Sequence, residues 1–425
     1  MTDKMVKDLL LWWQKSNPEF HKTIIDSENR NTLLHLASAE GHIEIVNILI
    51  KMGADPNVKD LGSRSPLHDA LDADTMKVLL ENGADVNAMD EDKTTPLHEA
   101  CISGDIEITK LLLEKGANIE ALDKDGDSPL FWALTEEKDV VELLFEKAPQ
   151  LVNKIVKTYT GDYPIHIVSQ QGNEELLEWL LKKGAIVSVK NKNGHTPIHS
   201  AIEKGHLKIV KVLLQRTRSV RKSTFESNLL LFAVKHEQFE VVKELLDRGT
   251  YVDVQESGRA TSLNMACQLG YERIVKLLLE YNASPNIQDT SGATPLHWAV
   301  NNKRTNIVQM LTESDRCLFN IKNQNGKTPL DLAFEGNQFG IAKVISNKMS
   351  YLLDTNRKLN PIQNENASKC VICYEDKDGT YAFLPCGHAC ACKKCCEIIK
   401  RDQNKDCPIC RGNVVQYQKI FISHH

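Results

Sequence analysis

A four-residue signature of the form Thr-Pro-Leu-His returns along this chain at intervals of 30 to 35 residues. A Thr or Ser hydroxyl can cap the free N–H groups of a helix start, and Pro is tolerated in the first turn. The signature therefore predicts a helix start at each recurrence. Its first residues are Thr32, Ser65, Thr95, Ser128, Tyr163, Thr196, Asn228, Thr261, Thr294 and Thr328.

A second amphipathic segment follows each predicted helix, as at residues 43–49, where apolar side chains recur at helical spacing. It ends in a Gly-Ala-Asp turn at residues 53–55, which is a helix stop. One such helix pair cannot bury its own apolar face, so neighbouring pairs must stack on one another.

The period and the signature together resemble the ankyrin repeat. The resemblance implies an all-α solenoid of helix pairs joined by β-turns, with about ten repeats over residues 30–349. Residues 1–29 are predicted to form an N-terminal helical cap, because residues 6–25 carry an apolar helical pattern without the signature. Repeat two is short near Leu71, and repeat seven, from Asn228, lacks Thr, Pro and His.

A basic stretch at residues 215–226 separates repeats six and seven. We interpret it as a solvated loop, with a phosphate site or a localisation signal as the alternative.

The signature histidines recur once per repeat, which places them too far apart to share a metal ion. We therefore expect them to make structural hydrogen bonds: His35, His68, His98, His166, His199 and His297. The early turns are acidic, as at residues 90–92 and at Asp123, Asp125 and Asp127. Ordinary turn chemistry explains these acids, and a basic ligand segment is the alternative. The array is predicted to be a binding surface.

Nine of the 12 cysteines lie between Cys370 and Cys410. In a chain without an export signal, such a cluster indicates a metal site rather than disulfides. Residues 350–369, rich in Asn and Gln, are predicted to be a linker, with some helix at residues 351–353. The candidate ligands are three Cys-x2-Cys pairs and one Cys-x-His: Cys370, Cys373, Cys386, His388, Cys392, Cys395, Cys407 and Cys410.

The order of three Cys, one His and four Cys resembles the RING finger. The resemblance implies a small zinc-bound α+β domain at residues 370–411 with two structural zinc ions. One ion would take Cys370, Cys373, Cys392 and Cys395, and the other would take Cys386, His388, Cys407 and Cys410. Cys390 and Cys396 are left out, since only Cys392 with Cys395 keeps the two-residue gap.

RING proteins recruit a ubiquitin-conjugating enzyme that carries ubiquitin, and they add proximity and orientation rather than a covalent intermediate. The resemblance implies contacts with that enzyme from Ile372, Pro408 and Ile409. Arg411 matches the position from which an arginine hydrogen-bonds both the enzyme and ubiquitin.

The tail at residues 412–425 resembles the end of inhibitor-of-apoptosis RING domains and, less closely, the last RING of mind bomb ligases. In the former group a strand here pairs across a RING homodimer. Val415, Tyr417 and Phe421 fall on one face of the predicted strand.

The net charge of −5 and the lack of an 18-residue apolar run argue against nucleic-acid and membrane partners. We expect a RING-type ubiquitin ligase, located in the cytoplasm or the nucleus, that binds a protein substrate through its ankyrin repeats. The alternative is a non-catalytic adaptor whose RING serves assembly. A zinc-dependent nucleic-acid binder is disfavoured, because residues 350–425 carry 11 Lys and Arg against 8 Asp and Glu.

Overall fold

The computed structural model describes the chain in two compact units, Met1–Ser219 and Val220–His425. The described residues are 24–26, 30–136, 138–217, 222–255, 258–314, 316–359, 380–384, 389–391 and 416–420. Among them, none of the helices combines the length and the apolar character that crossing a membrane requires.

In its described residues, the first unit contains two paired strands, β1 (Ile24–Asp26) and β2 (Asn31–Thr32), and six helix pairs, as the period predicts. Its first helices are Leu33–Ala39, Pro66–Asp69, Pro96–Ser103, Pro129–Glu136, Pro164–Gln171 and Pro197–Lys204. Its second helices are Ile43–Lys51, Ala73–Glu81, Ile106–Glu114, Lys138–Lys147, Glu174–Lys182 and Leu207–Arg216. A 3₁₀ turn, Pro149–Asn153, follows the fourth pair.

The part of the second unit that the structure describes contains four more helix pairs and three strands. Its first helices are Lys222–Lys235, Ser262–Leu269, Pro295–Asn301 and Pro329–Glu335, and its second helices are Phe239–Asp247, Glu272–Glu280, Thr305–Glu313 and Phe339–Leu359. The strands are β3 (Thr380–Leu384), β4 (Ala389–Ala391) and β5 (Gln416–Ile420). The all-α solenoid fold of the repeats is thus confirmed.

Apolar side chains at helical spacing form the core of each unit. In the first unit the second helices bury residues such as Val46, Leu49, Leu112 and Leu144, which are inaccessible to solvent. Val46 and Leu49 are three residues apart in one helix, so they share the face that packs on the neighbouring pairs.

The signature begins the first helices where the sequence predicts. Thr32, Ser65, Thr95, Tyr163 and Thr196 are extended residues that immediately precede a helix. In these repeats the histidine Nδ1 accepts from the backbone N–H of that residue at 3.1–3.3 Å. The histidine thus completes the cap at the start of its own helix.

The other ring nitrogen connects one repeat to the next. His98 Nε2 lies 3.3 Å from the carbonyl oxygen of Asp127, the residue before the next signature. A carbonyl oxygen only accepts, so Nε2 carries the proton and the ring is neutral. The same bond, at 3.0–3.3 Å, is made by His35, His68, His166 and His297. The structural role expected for these histidines is confirmed.

We call the segment between the second helix of one repeat and the first helix of the next a finger, and number it after the repeat that it ends. Neighbouring fingers hydrogen-bond through their backbones. The N–H of Glu91 donates to the carbonyl of Gly62 at 2.8 Å, and the N–H of Lys124 donates to that of Asp92 at 2.7 Å. The fingers of one unit therefore have fixed positions relative to each other.

Repeats two and seven differ from the rest. The first helix of repeat two, Pro66–Asp69, is a single turn, and Asp72 caps the next helix by accepting from the N–H of Thr75 at 2.8 Å. In repeat seven the predicted start at Asn228 is wrong, because the helix Lys222–Lys235 runs through it. No Pro interrupts residues 222–228, so nothing local stops the helix from starting earlier.

The loop interpretation of residues 215–226 is correspondingly wrong at both ends, which are helical. The central residues, 218–221, lie outside the described residues.

The predicted boundaries of the array also shift. Ile24–Asp26 is a strand, β1, that pairs antiparallel with β2 (Asn31–Thr32), so the cap is not helical there. The rest of the expected cap helix lies outside the described residues. The last helix continues through the predicted linker as far as Leu359, since no Pro or Gly stops it before Pro361.

We predict that acid weakens the repeats. Burial lowers the pKa of His68, His98, His166 and His297, and burial with the nearby charge of His195 lowers the pKa of His199 to about 4. The unfolded chain therefore binds more protons below pH ~6.5, and the free energy of unfolding falls as pH drops towards 4. Each histidine adds a slope of up to about 1.4 kcal/mol per pH unit.

Urea unfolding followed by far-UV circular dichroism at pH 7.5, 6 and 5 measures this slope. The matched variant is His98→Asn, because Asn264 occupies the equivalent position in repeat eight and donates to the carbonyl of Ala293 at 3.3 Å. This variant should lose part of the pH dependence while keeping most of its stability at pH 7.5. An unchanged slope would contradict the assignment.

Candidate functional sites

The predicted zinc ligands all lie outside the described residues, as do Ile372, Pro408, Ile409, Arg411, Val415 and Phe421. Tyr417 is the one predicted site residue that the structure places, in β5. The ligand assignment therefore stays a prediction.

The described part of this segment is a three-stranded antiparallel sheet in the order β4-β3-β5. β3 pairs with β4 through Tyr381 opposite Ala391 and Ala382 opposite Ala389. β5 pairs with β3 along its full length, from Thr380 opposite Ile420 to Leu384 opposite Gln416. The tail strand is thus bound to a strand of its own chain.

Three of the candidate ligands lie next to the strands of this sheet in the sequence. Cys386 and His388 belong to the four residues that connect the paired strands β3 and β4, and Cys392 directly follows β4. Thiolate sulfur and imidazole nitrogen are the donors that Zn²⁺ takes in structural sites. The donor set of this segment therefore fits zinc.

The described part of the helical repeats shows no competing metal site. In the described residues, no group of three or more His, Cys, Asp or Glu could hold an ion. Cys101, Cys267 and Cys317 are buried free thiols that form no disulfide bond. Burial raises the pKa of the first two thiols, and that of Cys317 to about 12, so none is a thiolate near pH 7.

The acidic turns have the structural role that ordinary turn chemistry predicts. Asp90 Oδ1 accepts from the N–H of Thr94 at 2.8 Å, and Asp123 Oδ1 accepts from that of Asp127 at 2.8 Å. Asp123 Oδ2 also accepts from Trp132 Nε1 at 3.0 Å. These carboxylates hold the turns together.

Sequence reasoning missed the ion pairs that cross between repeats. Arg64 contacts Asp69 at 3.0 Å and Glu99 at 2.5 Å, and Lys157 contacts the buried Asp127 at 2.9 Å. The partners are up to 35 residues apart, so no local pattern links them. They neutralise some of the acidic side chains of repeats two and three.

Two sequence families match the chain. The model of the ankyrin repeats, which spans three copies, matches residues 2–90, 67–155, 148–223, 216–289 and 263–358. The model of the C3HC4-type zinc finger, or RING finger, matches residues 366–417, which include all eight predicted ligands.

Curated relatives match over short segments only. The chain is 37% identical over 62 residues to the E3 ubiquitin-protein ligase RNF26 of Mus musculus, which covers 14% of each protein. It is 38% identical over 56 residues to the E3 ubiquitin-protein ligase LRSAM1 of Mus musculus, covering 13% of this chain and 7% of the relative. A third relative is ORF106 of Ostreid herpesvirus 1, whose name describes a candidate apoptosis inhibitor. The two sequences are 38% identical over 63 residues, which covers 14% of this chain and 13% of the relative.

We predict that Cys373→Ser lowers the zinc content of the full-length protein, because a missing thiolate destabilises a metal-dependent fold. The helical signal should stay, since the described helices belong to the repeats. Cys390→Ser is the matched control, as Cys390 lies in β4 and is not a predicted ligand. Metal analysis and circular dichroism measure both effects, and equal zinc loss from the two variants would refute the ligand assignment.

Proposed function

The chain belongs to the ankyrin-repeat family and carries a RING-type zinc finger after the repeats, and from this premise we propose that it is a RING-type ubiquitin-protein ligase. The match at residues 366–417 carries the proposal, because it includes the whole predicted set of ligands. The names of RNF26 and LRSAM1 as E3 ubiquitin-protein ligases support it.

The eight predicted ligands would hold two zinc ions, four ligands to each ion. An ion with four protein ligands has no open position, so when bound it supplies a fold rather than a hydroxide or a Lewis acid. The work of the domain therefore falls to the side chains that the fold presents.

In the proposed reaction Ile372, Pro408 and Ile409 bind the ubiquitin-conjugating enzyme, and Arg411 holds ubiquitin against it. The neutral amine of a substrate lysine attacks the thioester carbonyl carbon, an isopeptide bond forms, and the carbon–sulfur bond breaks. The thiolate leaves on the conjugating enzyme, and the proton lost from the amine passes to solvent. The ligase contributes proximity and orientation.

The repeats would hold the substrate protein while the RING finger holds the charged enzyme. A family of this kind binds through surfaces rather than through reactive groups. Because thiolate ligands persist in a reducing compartment, we place the protein in the cytoplasm or the nucleus.

We predict that Arg411→Ala slows the discharge of ubiquitin from the charged conjugating enzyme about 10- to 100-fold, because charge-assisted hydrogen bonds contribute roughly 1.5–3 kcal/mol. Zinc content should not change. Single-turnover discharge with a panel of conjugating enzymes measures the rate, and Arg401→Ala controls for loss of a positive charge. A wild-type protein without activity on any enzyme would instead favour the adaptor role.

We also propose that the RING finger forms a homodimer through its tail. Among the described strands, β5 lies at the edge of the order β4-β3-β5 and pairs with β3 alone, and an edge strand can pair with a symmetry mate. Truncation after Asn413 removes this strand and is expected to leave a nearly inactive monomer.

Phe421→Ala should reproduce much of that defect, lowering both dimer content and discharge rate, because it removes the largest apolar side chain of the tail. Sedimentation of the full-length protein measures the dimer, with His425→Ala as the control. A fully active monomeric wild type would contradict this proposal.

A further inference from the structure

Three fingers of the first unit carry an apolar residue at one equivalent position. In each of these fingers one backbone N–H closes the turn; in finger 2 it is that of Asp90, which donates to the carbonyl of Thr94 at 3.1 Å. The apolar residue comes immediately before the residue that donates this bond. We call Met89, Leu122 and Ile155 the apolar finger row. Fingers 1, 5, 8 and 9 instead place a polar residue here: Lys59, Lys190, Gln288 and Lys322.

The polar residue at this position has a structural role that an apolar one cannot perform. Lys59 Nζ donates to the carbonyl of Met89 at 3.0 Å, and Gln288 Nε2 donates to that of Lys322 at 3.0 Å. Each bond runs to the equivalent residue of the next finger. Met89, Leu122 and Ile155 have no donor for such a bond, so fingers 2 to 4 have lost this bond.

The side chains of the apolar finger row are exposed to solvent. Met89 is 46% exposed, Leu122 is 41% exposed and Ile155 is 39% exposed. The three residues occupy the same position on three successive fingers, so they line up along one edge of the repeats.

A groove of about 480 Å³ lies between fingers 3 and 4, with Leu122 and Ile155 in its lining. Leu151 and Val156, both buried, complete its apolar wall. Finger 4 belongs to the longest interval of the array, from Ser128 to Tyr163, and presents Tyr159 at 81% exposure next to the groove residue Thr158.

The surroundings of the row are strongly acidic. Residues 85–127 contain twelve Asp and Glu against four Lys, an excess of eight negative charges, whereas the whole chain has a net charge of −5. Three basic residues from outside the segment, Arg64, Lys154 and Lys157, pair with four of its acids: Asp90, Glu99, Glu120 and Asp127. An excess of five negative charges remains, with Glu91 and Asp125 exposed at the finger tips.

We propose that the apolar finger row and its groove bind an extended substrate segment in which apolar side chains recur among lysines or arginines. The apolar side chains would enter the groove and cover the row, and the basic ones would face the acidic finger tips. Stacked helices lie roughly 8–10 Å apart. An extended chain in the polyproline II conformation has three residues per turn and rises about 3.1 Å per residue, so an apolar residue at every third position returns to the same face at about the spacing of successive fingers. The inference rests on the proposed function, in which the repeats hold the substrate.

The probe is a fluorescein-labelled peptide of sequence Lys-Leu-Lys-Lys-Leu-Lys-Lys-Leu-Lys-Lys, titrated with the full-length protein and followed by anisotropy. Two control peptides replace every Lys by Glu or every Leu by Ser. We expect binding of the first peptide, at least tenfold weaker binding of both controls, and weaker binding in high salt.

The test variant is the double substitution Leu122→Gln with Ile155→Gln. Gln288 shows that a finger accepts this residue at the equivalent position, and Gln adds no charge. Ile186→Gln is the matched control, since Ile186 lies on finger 5 outside the row and is 49% exposed. The double variant should bind the peptide at least tenfold more weakly, and the control within twofold of wild type.

No binding of the Lys-Leu peptide, equal binding of the Glu peptide, or equal affinity of the double variant would each overturn the inference. Self-ubiquitination of the same preparations separates it from the proposed function, because the substituted residues belong to the repeats. Ubiquitin transfer without peptide binding overturns the docking surface alone. Peptide binding that depends on the row, without ubiquitin transfer, supports the surface and overturns the ligase.

Discussion

The neutral histidine of the signature is the contact on which the repeats depend, because a single buried ring joins local and long-range structure. Its Nδ1 caps the start of its own helix, and its Nε2–H donates to a carbonyl 26 to 30 residues further along the chain. A helix that began one residue later would move the ring away from both partners. The hydrogen bond therefore fixes the helix start and the stacking of the next repeat together, and it does so only while the ring is unprotonated.

Two of the four repeats that lack the histidine, repeats eight and ten, replace it with another polar residue and show which hydrogen bond is needed at each position. Asn264 has an acceptor and a donor, and it contacts both the N–H of Thr261 at 3.1 Å and the carbonyl of Ala293 at 3.3 Å. Asp331 can only accept, and it receives the N–H of Thr328 at 2.8 Å. Repeat ten is the last to carry the signature, so it has no following carbonyl to bind. An acid that caps its own helix is sufficient there.

The rigid spacing of the fingers gives their side chains a function that a flexible loop could not perform. Backbone hydrogen bonds between fingers, such as Lys124 to Asp92, hold equivalent positions in register. A change of residue type at one position on three fingers then produces a row instead of isolated contacts, as with Met89, Leu122 and Ile155. In the proposed ligase such a row would hold a substrate while the zinc finger positions the charged enzyme, and the two tasks need no shared residue.

Much of this protein follows from the sequence alone, where the determining chemistry is local. The signature predicts nearly every helix start because Pro and a capping residue act within one turn, and the spacing of Cys and His specifies a zinc-type donor set. Only the tertiary structure decided the rest. The helix through Asn228 and the one that continues to Leu359 have no local stop signal, so packing sets their ends. The partner of β5 and the equivalence of the fingers depend on hydrogen bonds between residues about 30 to 40 apart in the chain, which no local pattern encodes.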